Sequence, residues 1–173
     1  MNIPYKELLI LRLSGLGEWK NANEMHVPKY FTEGDTDCLF TYEFLDDGRH
    51  ILRGYERDMV LYEIPCIGDI THGVVRWWYP NGKRYAVKIF ENGKLQGEYL
   101  EWWDNGNKYV EAKCRDGFLD GRRVEWNIHG EKMTEELYKS GVLDGERLVY
   151  VDKILVKTEV WKNGKLMKNK EEQ

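Results

Sequence analysis

The chain has 173 residues, of which 42% are hydrophobic, 13% aromatic and 32% charged, a composition that excludes a disordered chain and suits one folded domain. Its net charge of −4 excludes a protein-wide positive field that would gather nucleic acid or anionic lipid. Cys38, Cys66 and Cys114 are odd in number and form no C-x-x-C pair, so we expect reduced thiols, no structural zinc and a cytoplasmic location.

The first segment, residues 1–37, opens with the apolar stretch IPYKELLILRLSG, which fits either an alternating strand or a short helix. Lys6, Glu7 and Arg12 interrupt it, and it is shorter than the roughly 20 apolar residues of a membrane-spanning helix, so we expect neither a signal peptide nor a span. The helical alternative resembles the start of an F-box, which implies an adaptor with substrate-binding repeats. Ordinary packing of a strand is the other interpretation.

The next segment, from Cys38 to Pro65, alternates apolar and polar residues on both sides of Asp47-Gly48. That dipeptide is typical of two-residue type I′ turns, so the segment predicts a degenerate hairpin followed by a further strand. We interpret residues 1–67 as an N-terminal segment with a capping hairpin, because a terminal repeat has a neighbour on one side only.

Residues 68–168 contain four similar units that begin 24 residues apart, at Gly73, Gly97, Gly121 and Gly145. The sixth position of each unit is aromatic: Trp78, Trp102, Trp126 and Tyr150. The tenth position is glycine in the first three units: Gly82, Gly106 and Gly130. The fourth unit lacks this glycine at Asp152-Lys153. Because these residues recur in register, we predict that they are structural.

The runs between the glycines are rich in Val, Tyr, Trp, Ile and Phe with polar residues interleaved, which predicts β-strands. The Asn-Gly or His-Gly pair between the two strands of each of the first three units predicts a two-residue type I′ turn. We therefore predict an all-β fold, an elongated up-and-down antiparallel array of hairpins in a single-layer ribbon, followed by a charged tail at residues 169–173. Two-residue turns would place position six opposite position thirteen, pairing Trp78 with Tyr85, Trp102 with Tyr109, and Trp126 with Met133.

Some aromatic residues occur outside the repeated slot, in the first two units only: Trp77, Tyr79, Tyr99 and Trp103. Their odd positions place them on the face opposite the position-six aromatics. A side chain present in every unit serves the architecture, whereas one confined to two units suggests a local purpose. We therefore predict a partner-binding patch, with coverage by the N-terminal segment as the alternative.

Several cations follow the Asn-Gly-type turns and predict a basic edge: Lys83, Arg84, Lys108 and Lys132. Such an edge could contact phosphate head groups or a nucleic-acid backbone. Interleaved glutamates favour a solvated charged edge instead.

The sequence shows no set of nucleophile, base and orienting group. Glu101 and Glu125 share position five, where a carboxylate pair or two solvated strand residues are the alternatives. Cys114 stands between Lys113 and Arg115, so either its pKa is lowered or it is a small strand residue. We expect no catalysis, no metal and no cofactor.

The G-x-x-x-G loop followed by a short strand, an aromatic residue and Asn-Gly resembles the MORN repeat. WWYPNGKRYAVKIFENGKLQGEYLEWWDNG is similar throughout to the longer variant of that repeat found in bacterial antitoxin-like proteins and large DNA viruses. The resemblance covers residues 68–168. It implies a non-catalytic array used for protein assembly, self-association or, in some members, phosphoinositide contact.

From this resemblance we expect a non-enzymatic scaffold in the cytoplasm, or in the virion or host cytoplasm if the protein is viral. We expect a protein partner or a homo-oligomer, and neither nucleic-acid binding nor membrane contact. Three alternatives stay open: an antitoxin-like protein that neutralises a toxin, a phosphoinositide or membrane-surface binder, and an F-box-like adaptor.

Overall fold

The computed structural model describes residues 38–45, 47–56 and 58–171. In this part of the chain all regular secondary structure is β, and 14 antiparallel strands form one open sheet. The all-β prediction is therefore confirmed. Residues 1–37, with the predicted apolar strand or F-box-like helix, lie outside the described residues.

The strands follow one another across the sheet in chain order, apart from two short ones. The N-terminal segment supplies β1 (Cys38–Phe44), β2 (Arg49–Glu56) and β3 (Met59–Ile67). The repeats supply β4 (Ile70–Thr71), β5 (Gly73–Trp78), β6 (Arg84–Glu91), β7 (Lys94–Leu95), β8 (Gly97–Trp102), β9 (Lys108–Arg115), β10 (Phe118–Trp126), β11 (Lys132–Lys139), β12 (Val142–Val151) and β13 (Ile154–Lys162). The last strand, β14 (Lys165–Glu171), includes residues that the sequence placed in a charged tail.

The turn inside each of the first three units is not the two-residue type predicted from Asn-Gly. The Gly82 N–H donates to the Tyr79 carbonyl, and the Tyr79 N–H donates to the Lys83 carbonyl, each at 2.8 Å. Gly82 has a positive φ of 78°, whereas Asn81 does not. The loop is therefore a type I turn followed by a left-handed glycine, which contains three residues. Gly106 and Gly130 close the same loop in the next two units, and Gly48 closes it after β1.

The extra loop residue changes the pairing next to the turn, so the three predicted position-six pairs are wrong, while a β-bulge restores the predicted register further along the strands, as in Trp77 opposite Ala86. Position six lies opposite position twelve: Trp78 pairs with Arg84, Trp102 with Lys108, and Trp126 with Lys132. In the first two units a β-bulge moves the position-thirteen aromatics to the other face. There Tyr85 contacts Tyr79, with ring centroids 5.1 Å apart, and Tyr109 contacts Trp103, with centroids 4.3 Å apart.

Type I′ turns occur between the units instead. Asn92 and Gly93 both have positive φ, 50° and 77°, and equivalent turns follow at residues 116–117, 140–141 and 163–164. The turn glycine donates its N–H to the preceding unit, as Gly117 does to the Leu95 carbonyl at 2.9 Å. These bonds hold successive units in line. In the fourth unit, Asp152 and Lys153 themselves adopt positive φ and turn in two residues.

Side-chain alternation gives the ribbon two faces. Face A carries positions three and five, such as Val75, Trp77 and Tyr99, and face B carries the position-six aromatics. The apolar core lies on face A of the N-terminal half, in two clusters against which Trp77 packs. The buried members of these clusters are Leu52, Leu61, Tyr62, Val75, Phe90, Leu95 and Cys114.

Candidate interaction surfaces

Two of the predicted partner-binding residues, Trp77 and Tyr99, surround a buried lysine on face A. The Lys88 Nζ lies 5.8 Å from the Trp77 ring centroid and 5.0 Å from that of Tyr99. It also lies 2.6 Å from Glu101 Oε1, and Lys88 is only 8% exposed. Cation–π contacts at desolvated sites contribute about 2 kcal/mol each. Trp77 and Tyr99 therefore hold an internal charge in place, and Glu101 is the counter-ion of that charge.

The other two predicted residues, Tyr79 and Trp103, connect successive hairpins. The Tyr79 hydroxyl donates to the Trp102 carbonyl at 2.7 Å, and the Trp103 Nε1–H donates to the Trp126 carbonyl at 3.1 Å. Each bond joins position seven of one unit to position six of the next. In the third unit, Asn127 occupies position seven and bonds Glu131 within its own turn. These aromatics therefore stabilise the array wherever they occur.

Tyr85 and Tyr109 also lie on face A, although the sequence predicted them on the same face as the position-six aromatics, face B. The β-bulge brings Tyr85 and Tyr109 beside Tyr79 and Trp103, and all four are half-buried. Burial raises the pKa of both Tyr85 and Tyr109, so these phenols stay neutral. We call the following set the aromatic patch: Trp77, Tyr79, Tyr85, Tyr99, Trp103 and Tyr109.

In the C-terminal half of face A an ion-pair ladder replaces the apolar core. Arg123, Glu136, Arg147 and Glu159 lie on β10, β11, β12 and β13, with charges that alternate from strand to strand. Each guanidinium approaches a neighbouring carboxylate within 2.9–3.0 Å. Glu136 and Glu159 are only 6% and 3% exposed. Because buried charges are costly unless paired, the ladder fixes the register of these four strands.

Glu125, which shares position five with Glu101, forms an ion pair with one residue of the ladder. Arg123 Nη2 lies 2.8 Å from Glu125 Oε2, so Glu125 is an ion-pair partner. Glu101 is likewise paired with Lys88. Neither carboxylate is positioned for acid–base chemistry with the other, because each is held by a cation of its own.

We expect acid to destabilise the fold through Glu159 and Glu135. Hydrogen bonding to Lys157 lowers the pKa of Glu159 from 4.5 to about 2, and hydrogen bonding to Arg122 does the same for Glu135. The unfolded carboxylates therefore bind protons more readily, so this stabilisation is full above about pH 5 and is lost as the pH falls towards 2. Denaturant midpoints should fall across this window. Glu159→Gln should reduce the fall, whereas Glu171→Gln, at an exposed residue, should not; equal slopes in both variants would contradict this.

The four cations of the predicted basic edge make contacts within the chain. The Lys83 Nζ donates to the Asn105 carbonyl at 2.8 Å. The position-twelve cations each cover the position-six ring of the next unit: Arg84 lies 5.5 Å from Trp102, Lys108 5.0 Å from Trp126, and Lys132 5.2 Å from Tyr150. This cation–π series accounts for the aromatic residue at position six of the second, third and fourth units. A phosphate group would have to compete with these rings for the cations.

Cys114 is a buried strand residue, 4% exposed. Burial raises the pKa of its thiol to about 12, so the thiol is protonated at neutral pH and the lowered-pKa alternative is wrong. Among the described residues no group of His, Cys, Asp and Glu is arranged to hold a metal ion. In the same part of the chain, no helix has the length and apolar character of a membrane span.

Comparison with known proteins gives distant structural matches. No family model matches the sequence. No curated protein matches it. The chain is similar to part of accessory secretory protein 1, 2 and 3 from Streptococcus pneumoniae, with 16% identity over 79% of this chain and 24% of that chain, and a TM-score of 0.28. It is also similar to part of the glycosylation-associated Gap123 complex from Streptococcus agalactiae, with 12% identity over 84% of this chain and 24% of that chain, and a TM-score of 0.33. The chain spans about a quarter of each of these two matched chains.

Proposed function

We propose that this protein is a non-catalytic MORN-like repeat scaffold that binds a protein partner through the aromatic patch on face A. The observation that carries the proposal is the arrangement of six half-buried aromatic rings on two adjacent hairpins. Aromatic side chains contribute large contact areas and dominate the binding energy of many protein interfaces.

The patch is also pre-organised for binding. Ring contacts position Tyr85 and Tyr109, and backbone hydrogen bonds position Tyr79 and Trp103. A partner would therefore order few side chains on binding, which reduces the entropy cost of association. The rings retain exposed area, because their contacts within the chain use only part of each ring.

Two observations favour a scaffold over an enzyme. The carboxylates Glu101 and Glu125 are each paired with a cation, and the Cys114 thiol is protonated at neutral pH. The repeat geometry supports the MORN-like assignment. All four units are hairpins that begin with glycine, and the first three also have glycine at the tenth position.

The test is a comparison of two variants that each remove two aromatic rings. Tyr85→Ser with Tyr109→Ser depletes the aromatic patch, whereas Trp126→Leu with Tyr150→Ser removes rings from face B. A partner captured from the source cells should be lost with the first variant and retained with the second, and calorimetry on the purified pair should show the same order. Folding of both variants is checked by circular dichroism. A partner that binds both variants equally would refute the proposal.

A further inference from the structure

The last strand of the ribbon, β14, forms one edge of the sheet. Among the described residues it pairs with β13 alone, and all seven of its residues are exposed. About half of its backbone N–H and C=O groups therefore point away from the sheet, where a further strand can pair with them. We call this side of the strand the β14 edge. It is separate from the aromatic patch, which lies on the first two repeat units.

The β14 edge carries positive charge that the neighbouring strand does not neutralise. Its lysines are Lys165, Lys168 and Lys170, against one acidic residue, Glu171. β13 contains a single acidic residue, Glu159, which is 3% exposed and paired with Arg147 and Lys157. In the row of Lys168, across Val160, the next carboxylate is that of Glu146, two strands and about 10 Å away.

The other end of the ribbon has the opposite charge. Residues 30–48 contain no lysine or arginine and six acidic residues: Glu33, Asp35, Asp37, Glu43, Asp46 and Asp47. We call residues 33–44, which include β1, the acidic segment. Asp35 and Asp37 are two residues apart, as are Lys168 and Lys170. An antiparallel strand that pairs Asp35 with Lys170 also pairs Asp37 with Lys168.

We propose that the β14 edge binds the acidic segment of a second copy of this chain, so that copies join head to tail into one continuous ribbon. Opposite charges directly across antiparallel strands stabilise such a pair. Because the β14 edge and the acidic segment are different surfaces, the contact does not close on itself. Each added copy presents a new β14 edge to the next copy, and the assembly is an open filament.

Strand direction fits this arrangement. The path from β1 to β14 contains 12 strands, each antiparallel to the next, so β1 and β14 run in opposite directions. A second copy in the same orientation therefore brings its β1 antiparallel to β14, as in every other pair of the sheet. Two β14 strands are a poorer match, because an antiparallel pair would place Lys168 and Lys170 of both copies on one side. Like charges across strands are destabilising.

Reversing the charge of each surface tests the proposal, with sedimentation velocity on the whole chain from about 1 μM to about 1 mM. The wild-type chain should grow with concentration beyond a dimer, and less so at high salt. Lys168→Glu with Lys170→Glu places acid against acid, and Asp35→Lys with Asp37→Lys places base against base. Each variant alone should associate at least about tenfold more weakly. A mixture of the two restores opposite charges wherever unlike variants meet, so it should recover association.

Two controls accompany this experiment. Lys94→Glu with Lys139→Glu makes the same charge change within the ribbon and should leave association unchanged. Hydrogen exchange of the β14 amides should slow as the wild-type chain associates, because the outward N–H groups become hydrogen-bonded. The Tyr85→Ser, Tyr109→Ser variant should associate as the wild type does, so a failure of either proposal leaves the other standing.

Several results would overturn the proposal. One is a wild-type chain that stays monomeric up to about 1 mM. Another is a mixture of the two charge-reversed variants that associates no better than either alone. A closed dimer would assign the contact to a symmetric interface. Binding to anionic vesicles that Lys168→Glu with Lys170→Glu abolishes, in a chain that does not self-associate, would assign the lysines to a membrane surface.

Discussion

Replacing Glu136 with alanine should lower the free energy of unfolding by about 3–5 kcal/mol, the cost typical of removing one partner from a buried ion pair. Glu136 is 6% exposed, and its two carboxylate oxygens contact Arg123 and Arg147. The substitution would leave two guanidinium groups facing each other across an empty position. Like-charge repulsion would then add to the loss of the hydrogen bonds.

Urea or guanidinium unfolding at neutral pH measures this effect. Glu136→Gln keeps the shape and one acceptor oxygen, so its loss should be smaller than that of the alanine variant. Glu43→Ala is the matched control, because Glu43 also pairs with an arginine, Arg53, but its side chain is 50% exposed. Such surface pairs contribute about 0–1 kcal/mol. Equal losses in the Glu43 and Glu136 variants would show that the ladder does not stabilise the fold.

Gly54→Ala should destabilise the protein by about 1–3 kcal/mol, even though alanine is normally the better strand residue. A Cβ at this position would lie 2.1 Å from Cε1 and Cζ of the Tyr62 ring, which rests on Gly54 from the neighbouring strand. Tyr62 is 5% exposed and belongs to the cluster with Leu52 and Leu61, so it cannot move without disrupting that cluster. The cost is steric, because the φ of Gly54 is not positive.

A double-mutant cycle isolates this contact. In a Tyr62→Ala background, the Gly54→Ala change should cost nothing or stabilise slightly, because the ring that it would meet is gone. Gly48→Ala provides a contrast: its φ is +80°, with nothing within 4 Å of an added Cβ, so only backbone strain of about 1 kcal/mol is expected. An unchanged cost of Gly54→Ala in the Tyr62→Ala background would refute the steric explanation.

The units and their strands could be predicted from sequence, because strand and turn residues repeat with the same spacing in each unit. The pairing beside the turn could not be predicted from Asn-Gly alone. That dipeptide suits a two-residue turn, in which both residues have positive φ, and equally a three-residue loop, in which only glycine does. Asn92-Gly93 takes the first form and Asn81-Gly82 the second. Pro80 was the available signal, since proline favours the first central position of a type I turn.

The full extent of the aromatic patch depended on that pairing. With Tyr85 assigned to face B, the sequence predicted only part of the aromatic patch. The ion-pair ladder was not predicted, although the predicted register, with Trp126 opposite Met133, also places Arg123 opposite Glu136 as the structure does; the sequence pattern did not show that these charges are buried.

Each long strand between β1 and β14 pairs with the long strand before it and the long strand after it in the chain. Folding therefore requires closure of short loops only, and such local topologies fold faster than sandwiches that pair distant strands. One unit adds one hairpin and about 10 Å to the ribbon. Duplication or loss of a 24-residue unit would change the length by that fixed step while every remaining interface kept its neighbours. Evolution can therefore lengthen or shorten this ribbon in fixed steps of one hairpin without redesigning the units that remain.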